Sequence, residues 1–271
     1  MDLPVHRSLL FVPGNRPERF DKALAAGASA VIIDLEDAVA PTDKDAARAA
    51  LAAWLRPHHA VVLRINSLDT PWFADDLALC GAPGVAAVML PKAERAETLA
   101  KVTAAGARAL LPLVESAAGL AGLPALAAAP GVQRLAFGSI DLQVDLGLKD
   151  ATEDELLPFR LQLVLASRLA GIGAPVDGVS TAIDDEARLQ IDVQRARRLG
   201  FAGKLCIHPR QVGPVNAGMA PSAAELAWAQ RVIAAASAAG GAAVAVDGKM
   251  VDKPVLLRAE ALLREAGPAA A

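Results

Sequence analysis

Short, nearly unbroken apolar runs recur along the chain, separated by longer stretches of helical period. The runs are Ser8–Val12, Ala30–Asp34, Ala60–Ile65, Val85–Leu90, Ala109–Val114, Val132–Phe137, Ala174–Val179 and Lys204–Ile207. Apolar runs of this length bounded by Gly and Pro predict strands buried on both faces, the habit of parallel sheets. Between them Pro17–Ala25, Lys44–Leu55, Trp72–Leu79, Arg95–Ala105, Gly119–Ala127, Glu153–Ala170 and Asp185–Leu199 carry helical patterns. Strands and helices in strict alternation predict an α/β fold, a (β/α)8 TIM barrel. Gly27, Gly106, Gly171 and Gly200 each follow a helical segment and read as C-terminal caps. Thr152 with Glu155, and Ser222 with Glu225, read as capping boxes opening helices.

The alternation stops near residue 220. Ser222–Ala238 reads as one more helix and Gly240-Gly241 as a hinge. Ala243–Asp252 reads as a hairpin turning at Asp247-Gly248, followed by a helix from Lys253 and a frayed end over Gly267–Ala271. The expected organisation is a barrel domain over residues 1–220 and a small C-terminal lid over 221–271. A helix–hairpin–helix piece of that size is too small to fold alone. It is expected to pack on the barrel or on a neighbouring subunit.

Composition narrows the function classes. The chain has 271 residues, 54% of them hydrophobic, enough for one sizeable core. A net charge of −3 argues against nucleic acid or an anionic membrane as a main partner. Aromatics make up 3% with no Tyr, which disfavours a base-stacking surface. No signal-peptide pattern opens the chain, and no apolar stretch reaches the ~20 residues of a membrane span. Cys80 and Cys206 lack any paired spacing and read as reduced and buried. The expected compartment is the cytoplasm.

In a parallel barrel the site forms where the strands end. Reading each run forward gives Arg16 after the first, Asp34, Glu36 and Asp37 after the second, and Arg64 and Asn66 at the third. Lys92 follows the fourth run, Glu115 the fifth, Ser139 and Asp141 the sixth, Asp177 or Ser180 the seventh, and His208 the eighth. Glu115 and Asp141 are the best candidate metal pair, and oxygen-only ligation suits Mg2+ or Mn2+. Spacing alone leaves a second reading open, in which each acid caps the helix that follows it. Arg64 suits a substrate carboxylate or a developing oxyanion, or an ion pair with Asp34 or Glu36. Asp34, Glu36 and Asp37 form a local acid cluster, read as one holder of metal-bound water and others that orient Arg64 or cap a helix, with Glu36 and Asp37 the expected supports. Arg16, in a Pro-Gly-Asn-Arg-Pro loop before a helix, and Lys92 are candidate phosphate contacts.

Several strings together are specific: RSLLFVPGNRPERFDKALAAGASAVIIDLEDAV, VVLRINSLDTPW, MLPKAE, LLPLVESAAGL, FGSIDLQVDLG, LCIHPRQV and AVAVDGKMVDKPV. They span nearly the whole chain, which resembles the citrate lyase β-subunit-like family within the wider group of malyl-CoA and citramalyl-CoA lyases. The resemblance implies a TIM barrel, a homotrimer or hexamer, and Mg2+-dependent cleavage or formation of a carbon–carbon bond in 3-hydroxyacyl-CoA thioesters. Its substrates would be an acyl-CoA and a 2-oxo acid. The family's metal ligands fall on Glu115 and Asp141, its substrate-binding Arg on Arg64, and its catalytic lid Asp on Asp252 of Gly-Lys-Met-Val-Asp-Lys-Pro. Gln143-Val144 stands where small residues are commoner in the family, and is expected to tune the pocket. A malyl-CoA-type thioesterase and a non-catalytic acyl-CoA-binding lyase subunit remain the alternative readings.

Overall fold

The computed structural model describes residues 6–239 and 244–266. The expected Gly240-Gly241 hinge, the first hairpin residue Ala243 and the frayed Gly267–Ala271 end lie outside the described residues. Eight parallel strands close into a barrel in sequence order: β1 (Ser8–Pro13), β2 (Ala30–Asp34), β3 (Val61–Arg64), β4 (Val85–Leu90), β5 (Leu110–Val114), β6 (Ala136–Phe137), β7 (Val176–Asp177) and β8 (Gly203–Cys206), with β8 paired to β1. The surrounding helices are α1 (Phe20–Leu24), α2 (Lys44–Trp54), α3 (Phe73–Asp76), α4 (Ala96–Ala104), α5 (Ala117–Ala121), α6 (Leu123–Ala127), α7 (Ser139–Asp145), α8 (Leu157–Ala170), α9 (Glu186–Leu199) and α10 (Val212–Met219). The fold is a (β/α)8 TIM barrel.

The period of two along each strand fixes what faces the axis. Leu9, Ala30, Ile32, Val62, Ala87, Met89, Leu111, Leu113, Ala136, Val176 and Leu205 form one buried cluster inside the barrel. Their neighbours Leu10, Val31, Ile33, Leu63, Val88 and Leu110 are also buried, beneath the helices. Burying each large aliphatic side chain contributes about 1.5–3 kcal/mol. Counting on by two from Ile32, Val62 and Leu113 reaches Asp34, Arg64 and Glu115. The inward row therefore turns from apolar to charged at the carboxyl ends of β2, β3 and β5.

Several elements differ from the sequence reading, each for a local reason. The sixth strand shrinks to two residues. Val132 makes only an isolated bridge to Leu110, and the Arg134 guanidinium donates to the carbonyls of His6, Ala174 and Pro175. The helix expected over Gly119–Ala127 is two, because Pro124 has no N–H to give and its ring crowds the preceding turn. Thr152 donates to Glu155 Oε2 through both N–H and hydroxyl, but the helix proper starts at Leu157 with Pro158 in its first turn. Pro17–Ala25 forms a single 3-10 turn and then the five-residue α1. The segment after β6, absent from the predicted helices, is the helix α7. Gly171 and Gly200 do end α8 and α9, both in the left-handed conformation open to glycine.

The chain divides into two compact units between Asn216 and Ala217. The second holds α11 (Ala223–Ala238), the strands β9 (Val244–Val246) and β10 (Lys249–Val251), and α12 (Lys253–Ala266). Ser222 and Glu225 form both halves of a capping box at the start of α11. β9 and β10 pair antiparallel, with Asp247 and Gly248 both at positive φ as a tight Asp-Gly hairpin turn requires. Ala229, Val232, Val251, Ala259 and Leu262 are its buried core. Among the described residues no helix is long and apolar enough to cross a membrane.

Candidate active site

Asp34 and Arg64 stand opposite each other in the β2–β3 register. Arg64 donates from Nε to Asp34 Oδ1 (2.7 Å) and from Nη2 to Asp34 Oδ2 (2.6 Å), a bidentate pair. Asp34 is fully buried and also accepts the N–H groups of Glu36 and Ala38. Arg64 Nη1 lies 2.8 Å from Glu36 Oε2 without hydrogen-bond alignment, and 4.0 Å from Asp37. The guanidinium also packs 4.7 Å from the Phe11 ring centroid. Burial pulls the Arg64 pKa down, but the charges and hydrogen bonds of Asp34 and Glu36 more than reverse this, so it stays charged. Burial raises Glu36 to about 7, against the pull of Arg64 and with the help of Asp37 and Asp34.

Glu115 is 4% exposed at the end of β5. Its Oε1 accepts the N–H of Lys92 at 2.8 Å. Lys92 reaches this pose at φ +45°, a left-handed conformation that costs a non-glycine residue of order 1 kcal/mol. On the other side Gly138 follows β6, the neighbour of β5. A Cβ there would overlap Glu115 Cβ and Oε2, so only glycine leaves room for this carboxylate. Burial raises Glu115 to about 8; the Lys92 N–H pulls the other way, and the charges of Glu36 and Asp141 add to the rise.

The capping alternative fails for both acids. Ser116 caps α5, its Oγ accepting the Gly119 N–H, while Glu115 points elsewhere. Asp141 lies inside the first turn of α7, whose N-cap is Gly138 and has no side-chain cap bond. Glu115 and Asp141 instead line one cavity of about 380 Å³ together with Asp34, Asp37 and Arg64. Its remaining walls include Phe11, Leu113, Phe137, Val179, Leu205 and Ile207. Four carboxylates, those of Asp34, Asp37, Glu115 and Asp141, thus share the cavity with Arg64, which Glu36 approaches from beside it. Among the described residues no cluster of three His, Cys, Asp or Glu side chains is arranged to hold a metal. The donor set at the cavity is two carboxylates. Hard oxygen donors that leave most coordination positions to water and substrate fit Mg2+ rather than zinc.

The other expected residues fall outside this cluster. Arg16 is exposed and paired with Glu18 at 2.6 Å, and the helical segment after it is too short to offer an anion site. The Lys92 side chain is exposed, and its described contact with the site is through its backbone. Asp177 faces outward from β7, ion-paired with the buried Arg160 and Lys204. Ser180 donates to Asp192, and His208 caps a 3-10 turn. Asp252 is exposed between β10 and α12, where its Oδ1 accepts the Val255 N–H. Sequence reasoning missed Lys44. Its buried ammonium donates to the carbonyls of Leu35 and Glu36 and to Asn66 Oδ1, tying the β2 and β3 loops together. The available signal was a lysine on the buried face of α2.

Comparison with known proteins identifies the family. The family model described as HpcH/HpaI aldolase/citrate lyase matches residues 7–209. A citrate lyase subunit beta-like protein of Deinococcus radiodurans is 38% identical, covering 95% of this chain and 96% of its own. A (3S)-malyl-CoA thioesterase of Cereibacter sphaeroides is 35% identical, covering 98% and 96%. The crystal structure of CitE from Mycobacterium tuberculosis in complex with magnesium, acetoacetate and coenzyme A superposes with a TM-score of 0.85 at 40% identity, covering 97% of this chain and 98% of that one. Matched over its barrel by the family model and over nearly its whole length by these relatives, the chain belongs to the HpcH/HpaI aldolase/citrate lyase family.

Proposed function

We propose that this chain is a Mg2+-dependent carbon–carbon lyase. It would cleave or form a 3-hydroxyacyl-CoA such as citramalyl-, malyl- or citryl-CoA, the partners being acetyl-CoA or a related acyl-CoA and a 2-oxo acid. The observation that carries this reading is that Glu115 and Asp141 line one cavity with Arg64, whose guanidinium is already held by Asp34. A cation between these two carboxylates would let an anionic oxo acid approach them. The magnesium of the M. tuberculosis relative is the ion this donor set suits.

Glu115 and Asp141 would hold the ion, and when bound it would act as a Lewis acid on the oxo-acid carbonyl. Arg64, fixed and kept charged by Asp34, would offer its remaining N–H groups to negative charge on the oxo-acid oxygen or the thioester enolate. As the carbon–carbon bond breaks, its electron pair becomes the enolate, the hydroxyl would give its proton to a carboxylate of the site or to water, and its carbon becomes the carbonyl. Asp252 would return a proton to the enolate carbon, and would remove that proton in the condensing direction. Residues 221–271 would act as a lid over the barrel of a neighbouring subunit in a homotrimer or hexamer, excluding water from the enolate. Glu36 and Asp37 would orient Arg64 or metal-bound water, and Arg16 and Lys92 would meet the phosphates of coenzyme A.

The test is turnover with and without metal. Glu115→Ala and Asp141→Ala are expected to abolish Mg2+-dependent cleavage, whereas full turnover in excess chelator would contradict the metal assignment. The relatives named (3S)-malyl-CoA thioesterase favour a second reading, hydrolysis of the thioester at the same site. Free CoA with the hydroxy acid as products would select it.

A further inference from the structure

We propose that Asp145 is a positioning residue that sets the spacing between Glu115 and Asp141. The inference rests on the reading of those two acids as the metal pair. Asp141 is carried by α7, only seven residues long. A helix that short is not stable by itself and takes its orientation from its tethers. At its N-terminal end the preceding Gly138 is held by β5, through its N–H to the Val114 carbonyl. Along its length Leu142 is buried in the core. At its C-terminal end Asp145 Oδ2 accepts the N–H of Ala117 at 2.7 Å. Among the described residues this is the only hydrogen bond by which α7 itself reaches another element.

Both ends of that bond lie close to a proposed ligand. Asp145 is four residues after Asp141, so the two share a face of α7 about 6 Å apart along its axis. Ala117 is the first residue of α5 and stands two residues after Glu115. The Ala117 end is itself rigid. Ser116 caps α5 and donates to Glu94 Oε1, and the β-carbons of substituted Gly119 and Gly122 would strike the Ala93 and Glu94 carbonyls. Ala117 and Asp145 are both exposed, so the bond's effect is on position rather than on stability. The bond thus clamps the helix carrying one acid to the segment carrying the other.

The experiment titrates Mn2+ into the purified chain, reading free Mn2+ by electron paramagnetic resonance and folding by circular dichroism. Asp145→Ala is expected to weaken Mn2+ binding by about 10-fold, the low end for residues that orient a ligand, because it acts through α7 rather than by bonding Asp141 itself. Asp145→Asn keeps an acceptor oxygen and is expected to restore the affinity. Ala117→Pro removes the donor from the other side. Proline is tolerated at a first helical position, and Ser116 before it is already extended at φ −140°, ψ 161°. It should weaken binding as much as Asp145→Ala, and the double variant should be no weaker than either single one. Wild-type affinity in Ala117→Pro or in Asp145→Ala overturns the proposal. So does equal weakening in Asp145→Asn, which would leave charge rather than position as the cause. If Asp145→Ala does not fold, Ala117→Pro and Asp145→Asn decide by the same criteria. A wild-type chain that binds no Mn2+, or one that binds it undiminished after Glu115→Gln, overturns the metal reading itself.

Discussion

Glu115 must shed a proton before it can hold a divalent cation, and its environment makes that proton hard to lose. Burial against Gly138, with Glu36 and Asp141 nearby, raises its pKa to about 8 in the metal-free chain. About half the molecules then carry the carboxylate at pH 8 and roughly 1% at pH 6, so apparent Mg2+ affinity should fall ~50-fold between these values. Calorimetric titration in buffers of different ionisation enthalpy would measure both the affinity and the protons released. The expectation is close to one proton per Mg2+ at pH 6–7, falling above pH 8. The same shift has a stability consequence. A folded-state pKa above the ordinary 4.5 means the native state binds a proton that the unfolded state has lost, so metal-free stability is fullest below pH 4.5 and is lost as pH rises through 8. The shift is 8 − 4.5 = 3.5 units, worth at most ~5 kcal/mol. Glu115→Gln should flatten this slope, and Mg2+ should oppose it. Affinity that does not change between pH 6 and 8, with no proton released, would refute the reasoning.

Four substitutions probe the rest of the site. Gly138→Ala drives a methyl into Glu115, and should cost about 1–3 kcal/mol in denaturant unfolding while weakening Mn2+ binding. Arg64→Ala leaves the buried Asp34 carboxylate without its partner, and should cost about 3–5 kcal/mol by the same unfolding assay. Arg64→Lys retains charge but not the two-point geometry, so steady-state kinetics should show kcat falling by on the order of 100-fold. Asp252→Asn should leave a folded protein that binds acyl-CoA in calorimetry yet cleaves no carbon–carbon bond; normal turnover would remove Asp252 from the mechanism.

Much of this was legible in the residues because barrel strands obey a simple period. Asp34, Arg64 and Glu115 each end an apolar run and continue its inward parity, so they meet at one mouth. What stayed hidden depends on contacts across the chain. The α7 segment Ser-Ile-Asp-Leu-Gln-Val-Asp is short, with β-branched Ile140 and Val144 at exposed positions, and has no helix signature of its own. The sixth strand was overread because Arg134 stands inside an otherwise apolar run, and its guanidinium finds carbonyls only in the folded barrel. Lys44 opens a helical pattern with no mark of burial in its own residue type, and nothing in the sequence shows that the Lys92 backbone would meet Glu115. Their described roles, an ammonium buried under two loops and a backbone N–H aimed at Glu115, arise from burial and from φ, which no residue count reveals.

The central claim is that the site breaks a carbon–carbon bond with the help of a divalent cation. Its most direct test is to incubate the purified chain and Mg2+ with malyl-, citramalyl- and citryl-CoA and to identify the products by mass. The account predicts an acyl-CoA together with a 2-oxo acid, formed only when Mg2+ is present. Free CoA with an intact hydroxy acid, or the same products in excess chelator, would contradict it.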